Sequence, residues 1–206
     1  MIRCEYENSR HYNLIGEQEM SEHNGEKVFI QLETENLILK PIDMSDKEFI
    51  FKQFSNPDVT RFMVDEEPYT KMEEAEELIN FYTVPEPRIQ HRWVIIRKSD
   101  NAPLGTCGYH RWIIKHNFCE MGWDLSPEYW GKGYMTEALH KAIKMGFENM
   151  GLNRIQAFVD VRNTRSVNLA LRMGFKKEGI MRDKYLSRGI YYDHYCFSLL
   201  KREWNL

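Results

Sequence analysis

Apolar positions change their spacing along the chain, and those changes divide it into elements. Residues 1–30 are rich in Glu and Asn and lack a sustained period, so they read as a polar N-terminal appendage; residues 31–206 read as one domain. Leu37-Ile38-Leu39-Lys40-Pro41-Ile42 is a short apolar run stopped by proline and predicts a strand. Phe49, Ile50 and Phe54 recur at helical spacing and predict a helix over Met44 to Phe54. Asn56-Pro57-Asp58 interrupts it and can start another turn. Thr70-Lys71-Met72-Glu73 has capping-box form and opens a helix through Leu78, Ile79 and Tyr82, with Pro85 and Pro87 closing it.

Three strands are predicted next, Trp93 to Ile96, Leu104 to Trp112 and Phe118 to Leu125, and their short connections imply an antiparallel meander. The period then lengthens. Leu139, Ile143 and Phe147 form one stripe of a helix over Thr136 to Met150, stopped by Gly151. A strand from Arg154 to Val161, a short helix from Thr164 to Arg172 and a glycine stop at Gly174 follow. Two strand-like runs then flank Ser187-Arg188-Gly189. Strand 118–125, helix 136–150 and strand 154–161 make one βαβ unit, whose strands should be parallel and its crossover right-handed. The expected fold class is α+β, a mixed and mostly antiparallel sheet flanked by helices.

Composition narrows the functional classes. The 206 residues are 42% apolar, enough for one substantial core, and no apolar run approaches the ~18 residues of a membrane span. The first residues lack the apolar core of a signal peptide, so a cytoplasmic location with reduced thiols is expected. The net charge of -3 argues against a broad nucleic-acid-binding face. Residues 1–26 hold two Arg and six Glu, which leaves the remaining 180 residues at +1. The four cysteines and seven histidines are scattered without ligand spacing, so no metal is expected.

The chemistry concentrates in Leu125-Ser126-Pro127-Glu128-Tyr129-Trp130-Gly131-Lys132-Gly133-Tyr134-Met135-Thr136, which joins a strand directly to a helix. Glycine tolerates unusual backbone angles and lets a ligand approach the main chain. The free N–H groups and dipole of the helix start then suit a phosphate. On these residues alone, an ordinary tight turn and a phosphate loop stand level. A Walker loop fails for want of Gly-Lys-Ser/Thr. The dinucleotide fingerprint has Asp160 at a suitable distance, but Thr136 takes the third glycine position and no second βαβαβ half can follow.

Tyr129-Trp130-Gly131-Lys132-Gly133-Tyr134-Met135-Thr136-Glu137-Ala138-Leu139 resembles the acetyl-CoA loop and following helix of the GCN5-related N-acetyltransferases. The resemblance is strongest to the branch of ribosomal-protein N-terminal acetyltransferases that includes RimJ and RimL. Gly151-Leu152-Asn153-Arg154-Ile155, Asn163-x-x-Ser166 and Met173-Gly174-Phe175 stand in the order of that branch's markers, and the similarity runs from about Glu33 to Trp204. The general Gln/Arg-x-x-Gly-x-Gly/Ala pattern is kept only at Gly133, with Trp130 first and Met135 last.

This resemblance implies transfer of the acetyl group of acetyl-CoA, a cosubstrate, by direct attack of a primary amine. The loop from Trp130 through Gly131, Lys132, Gly133, Tyr134 and Met135 to Thr136 would hold the pyrophosphate, mainly through backbone N–H groups. Lys132 is equally readable as a solvated lysine. Trp123, Asp124 and Leu125 would face the pantetheine through backbone groups, and Asn163 would assist. Glu120 is the first candidate for general base, its pKa raised by apolar surroundings; a strand Glu paired with an arginine is the plainer alternative. His110 is the second candidate. Ser166 would protonate the thiolate, because Ala170 stands where many relatives carry Tyr. Asn163 and Ser166 also suit a helix N-cap and first turn.

The expected acceptor is a protein or peptide N-terminal α-amine, with a polyamine, an aminoglycoside or another small amine, or a non-catalytic acyl-CoA-binding role, as alternatives. Seven acidic residues against one Lys between Asp65 and Glu77 would favour a cation, unless they are merely a solvated helix face. At pH 7 roughly a tenth of an α-amine is neutral, against well under ~0.1% of a lysine ε-amine, so an α-amine tolerates a weaker base. A monomer or homodimer without membrane or nucleic-acid contact completes the expectation.

Overall fold

Strand and helix order follows the sequence pattern closely in a computed structural model that describes residues 29–64, 67–83 and 88–204. The strands are β1 (Leu32–Glu33), β2 (Leu37–Pro41), β3 (His91–Arg97), β4 (Pro103–Ile113), β5 (Phe118–Leu125), β6 (Arg154–Asp160), β7 (Lys176–Ser187) and β8 (Ile190–Leu200). The helices are α1 (Lys47–Ser55), α2 (Pro57–Thr60), α3 (Met72–Thr83), α4 (Tyr134–Glu148) and α5 (Thr164–Arg172). One sheet runs β1-β2-β3-β4-β5-β6-β8-β7, antiparallel throughout except between β5 and β6. The α+β class with one parallel βαβ unit is thus observed.

Helices cover both faces because the strands alternate. Trp93, Ile95, Cys107, Tyr109, Cys119, Met121, Ile155 and Phe197 face α4 and α5 in the larger core. Val94 faces the other way, onto Ile50 and Phe54 of α1 and Leu78, Ile79 and Tyr82 of α3. α4 buries Met135, Ala138, Leu139, Ala142, Ile143 and Phe147 along one stripe. Removing a large side chain from such a stripe typically costs about 2–5 kcal/mol.

Local details depart from expectation. α4 begins at Tyr134 rather than Thr136, because Gly133 adopts φ +86° as its N-cap and the helix starts directly after it. Glu74 rather than Glu73 closes the cap of α3, accepting from the N–H groups of Thr70 at 2.7 Å and Lys71 at 2.8 Å. Pro85 and Pro87 lie outside the described residues, as do residues 1–28 of the appendage. At its end, Phe29 stacks on His91 at 4.6 Å, and the Ile30 carbonyl accepts from Trp93 Nε1 at 2.8 Å, so both pack on the domain.

Candidate active site

β5 and β6 pair over only three residues, Phe118 with Arg154, Cys119 with Ile155 and Glu120 with Gln156. Beyond that point β5 remains paired with β4 as far as Leu125, and β6 with β8 as far as Asp160. The two strands therefore diverge into a notch whose walls are unpaired backbone edges, Met121 to Leu125 facing Ala157 to Asp160. Such edges need hydrogen-bonding partners, and an extended ligand with amide groups can supply them.

The glycine loop closes one end of this notch. Gly131 and Gly133 have φ of +75° and +86°, and a Cβ at either would meet nothing within 4 Å. Among the described residues, no hydrogen bond takes up the N–H groups from Gly131 to Thr136. Those donors, the dipole of α4 and the open space above the glycines fit a pyrophosphate. Trp130 is fixed by its indole N–H on the Leu125 carbonyl at 2.7 Å, and the Arg165 guanidinium lies over its ring at 4.1 Å. That contact joins the first turn of α5 to the loop across the notch.

On β5, Glu120, Gly122 and Asp124 face α1 and α3, whereas Met121, Trp123 and Leu125 turn toward the larger core. Asp124 is buried. It bonds Gln53 at 2.8 Å, Thr106 through both backbone and hydroxyl, and Arg92 at 3.3 Å. Burial pushes its carboxyl up, against the pull of Arg92, Thr106 and Gln53. Gln53 also accepts from Ser126 Oγ at 2.6 Å, so α1 anchors the start of the loop.

Glu120 pairs in register with His110 on β4, and its side chain is 18% exposed. A bulge between His110 and Ile113, with Arg111 at φ 49°, brings the Arg111 guanidinium to 3.8 Å from Glu120. The plainer arginine pairing is therefore present. Burial, with the charges of Arg92 and Arg111, lowers His110 to about 3, so the ring is neutral at pH 7 and a weaker base than a free imidazole.

A model of the acetyltransferase (GNAT) domain matches residues 36–176. The chain belongs to the GNAT acetyltransferase family. It is 37% identical to the Bacillus subtilis N-acetyltransferase YoaA over 178 residues, covering 84% of this chain and 98% of that one. A Vibrio cholerae spermidine N(1)-acetyltransferase is 27% identical over 157 residues, covering 76% and 88%. The structure of spermidine N-acetyltransferase from Vibrio cholerae with CoA and spermine matches with TM-score 0.74 and 25% identity, covering 82% and 98%.

This GNAT member is thus an acetyl-CoA-dependent N-acetyltransferase acting on amines. CoA chemistry suits the notch: a thioester is already activated, so the chain need only hold two reactants and move protons. Among the described residues no group of three or more His, Cys, Asp and Glu could hold a metal, and no helix is long and apolar enough to cross a membrane.

The side chains of the loop are less available than its main chain. Met135 is 6% exposed and packs in the core, the Tyr134 hydroxyl accepts from Arg97 at 3.2 Å, and Asp124 is consumed by its own network. Asn163 is an N-cap, its Oδ1 accepting from the Ser166 N–H at 3.1 Å, as its alternative reading required. Ser166 is half-buried in the first turn of α5, and Ala170 is fully buried. Pattern reading missed Gln53, Tyr82, Arg92, Thr106, Arg111 and Arg165. Only Tyr82 carried a signal, as a polar-tipped residue on the apolar stripe of α3.

Proposed function

We propose that residues 31–206 acetylate the α-amine of a protein or peptide N-terminus, as in the RimJ/RimL-like branch. The observation that carries this reading is the charge of the cleft between α2 and the β7–β8 turn. It holds about 120 Å³ between Pro57, Thr60, Arg61, Met63, Val64, Pro68, Ser187, Arg188 and Tyr192. Among the described residues, Arg61 and Arg188 line it and no carboxylate does. Of the acidic residues expected to attract a cation, Glu67 pairs with Arg188 at 2.7 Å, Glu76 pairs with Lys47 at 2.8 Å, and Glu74 caps α3. Asp65 and Glu66 lie outside the described residues.

In this reading the N–H groups from Gly131 to Thr136 grip the pyrophosphate, with Trp130 and Lys132 bordering it. The β5 edge from Trp123 to Leu125 meets the pantetheine through its backbone, with Asn163 opposite. Glu120 takes the proton from the acceptor ammonium and Ser166 returns one to the thiolate. A carboxylate beside a guanidinium gains no basicity from its neighbour, which suits an α-amine better than a lysine.

Acetylation of a small amine is the second reading, favoured by the spermidine-acetylating relatives. Thiol release measured over a panel of peptides, polyamines and aminoglycosides separates the two. Turnover of peptides but not polyamines is the expected result; polyamine turnover alone replaces the first reading with the second. Tight acetyl-CoA binding without turnover of any amine removes both.

A further inference from the structure

We infer that His110 is locked as its neutral Nε2–H tautomer and offers that N–H to a carbonyl oxygen beside the acceptor amine, so the site selects an α-amino carbonyl compound over a bare polyamine. This rests on the acceptor reading above and deepens it.

The lock is a relay of donors. The Tyr82 hydroxyl stands 2.8 Å from His110 Nδ1, and Arg92 Nη2 donates to the same hydroxyl oxygen at 3.0 Å. A guanidinium has no acceptor atom, so the Tyr82 oxygen receives that bond, an arrangement in which the hydroxyl hydrogen can reach Nδ1. An accepting Nδ1 leaves the ring proton on Nε2. Arg92 is itself held by Thr106 at 2.9 Å and Asp124 at 3.3 Å, with its guanidinium 4.8 Å from the Tyr82 ring centroid. The order Asp124, Arg92, Tyr82, His110 therefore runs from a buried carboxylate out to the site.

The other end of the ring lies against Gly122 on β5, beside the candidate base Glu120. His110 Nε2 is 2.9 Å from the place a Cβ on Gly122 would occupy, and it makes no hydrogen bond among the described residues. Gly122 is the residue between Glu120 and Asp124 on that face of β5, so its missing side chain leaves room for the imidazole. The charged groups facing the ring are Arg92 and Arg111, with Glu120 in register opposite.

Selectivity follows from atom types. A peptide α-amine carries a carbonyl oxygen one carbon away, which can accept from Nε2–H. A protonated polyamine offers only donors. It would leave Nε2–H unpaired beside two guanidinium groups, and a site built to bond an oxygen rejects the analogue that lacks it.

Two measurements on the full chain test this. Long-range proton–nitrogen correlation spectra at pH 7, with histidine labelled and His110 assigned by its loss in His110→Gln, should show a bare Nδ1 and a protonated Nε2. Tyr82→Phe should mix the tautomers. A protonated Nδ1, or an imidazolium, overturns the inference. The second measurement is kcat/KM for glycinamide against ethylamine, which has the same carbon skeleton without the carbonyl. His110→Leu should lower the ratio of the two about tenfold, mainly through KM for the amide. His110→Gln, which keeps an N–H donor at the same reach, should restore most of it. Comparing ratios between variants cancels the different basicities of the two amines. A ratio that His110→Leu leaves unmoved, even with both rates reduced, overturns the inference. If His110→Leu does not fold, Tyr82→Phe carries the same comparison. Turnover of glycinamide with the expected ratio, but of no longer peptide, would remove the protein N-terminus reading and leave the role of His110 standing.

Discussion

Glu120 and Gln156 form the last residue pair between β5 and β6. The candidate base thus stands at the fork of the notch, at the point where one ladder ends and two free edges begin. Each strand keeps a partner on its other side, so the fork is held open without either strand standing alone. Exchange of Glu120 for Gln keeps the shape of the fork and removes the carboxylate. It is expected to lower thiol release by about 10²–10⁴-fold with acetyl-CoA affinity retained. Unchanged rates over the pH range of the assay would exclude Glu120 as the base.

The loop glycines can be tested apart from the fold. Both have empty space where a Cβ would go, so Gly133→Ala meets backbone strain of about 1–2 kcal/mol and no steric clash within the protein. Acetyl-CoA binding by calorimetry should weaken by more than that strain explains, because the methyl group enters the space the phosphates use. A binding constant equal to that of the unaltered chain would remove the loop as the pyrophosphate site.

Asp124 is expected to be structural. Its side chain is 3% exposed and that of Arg92 9%, and each is the other's charged partner. Asp124→Leu would leave the guanidinium buried without its carboxylate, at a cost of about 3–5 kcal/mol. Urea denaturation reads this directly, and a midpoint close to that of the unaltered protein would contradict it.

Acid should destabilise the fold before ordinary carboxylates titrate. His91 lies between Phe29 and Trp93, and its two ring nitrogens find no hydrogen-bond partner among the described residues. Burial, with the charge of Arg88, lowers it to about 3, and His110 is lowered to about 3 as well. Between pH 6.5 and about 3 the unfolded chain binds more protons than the folded one. Stability is therefore complete above the ordinary histidine range and falls as pH drops, by about 1.4 kcal/mol per pH unit for each histidine. Asp43 and Glu178, both lowered to about 2 chiefly by Lys40 and Arg154 respectively, add to the loss at lower pH, while Asp124, raised by burial, opposes it. His91→Phe should flatten the slope of stability against pH by one histidine's share. An unaltered slope would show that His91 is not held neutral.

Spacing alone determined a great deal. The β5 strand from Phe118 to Leu125 and the α5 helix from Thr164 to Arg172 appear with the boundaries their pattern implies, because side-chain period and the Gly and Asn stops are local properties of the chain. The glycine loop was legible for the same reason, since left-handed backbone favours glycine and both loop glycines adopt it. What only the tertiary structure decided is which distant residues share a space. Gln53, Tyr82, Arg92, Thr106 and Asp124 come from α1, α3, β3, β4 and β5, and no interval in the sequence marks them as one network. The bulge that turns Arg111 toward Glu120 depends likewise on pairing between two strands. Polar partners meet across elements only after the sheet has formed, so their identity is a consequence of the fold rather than of any one segment.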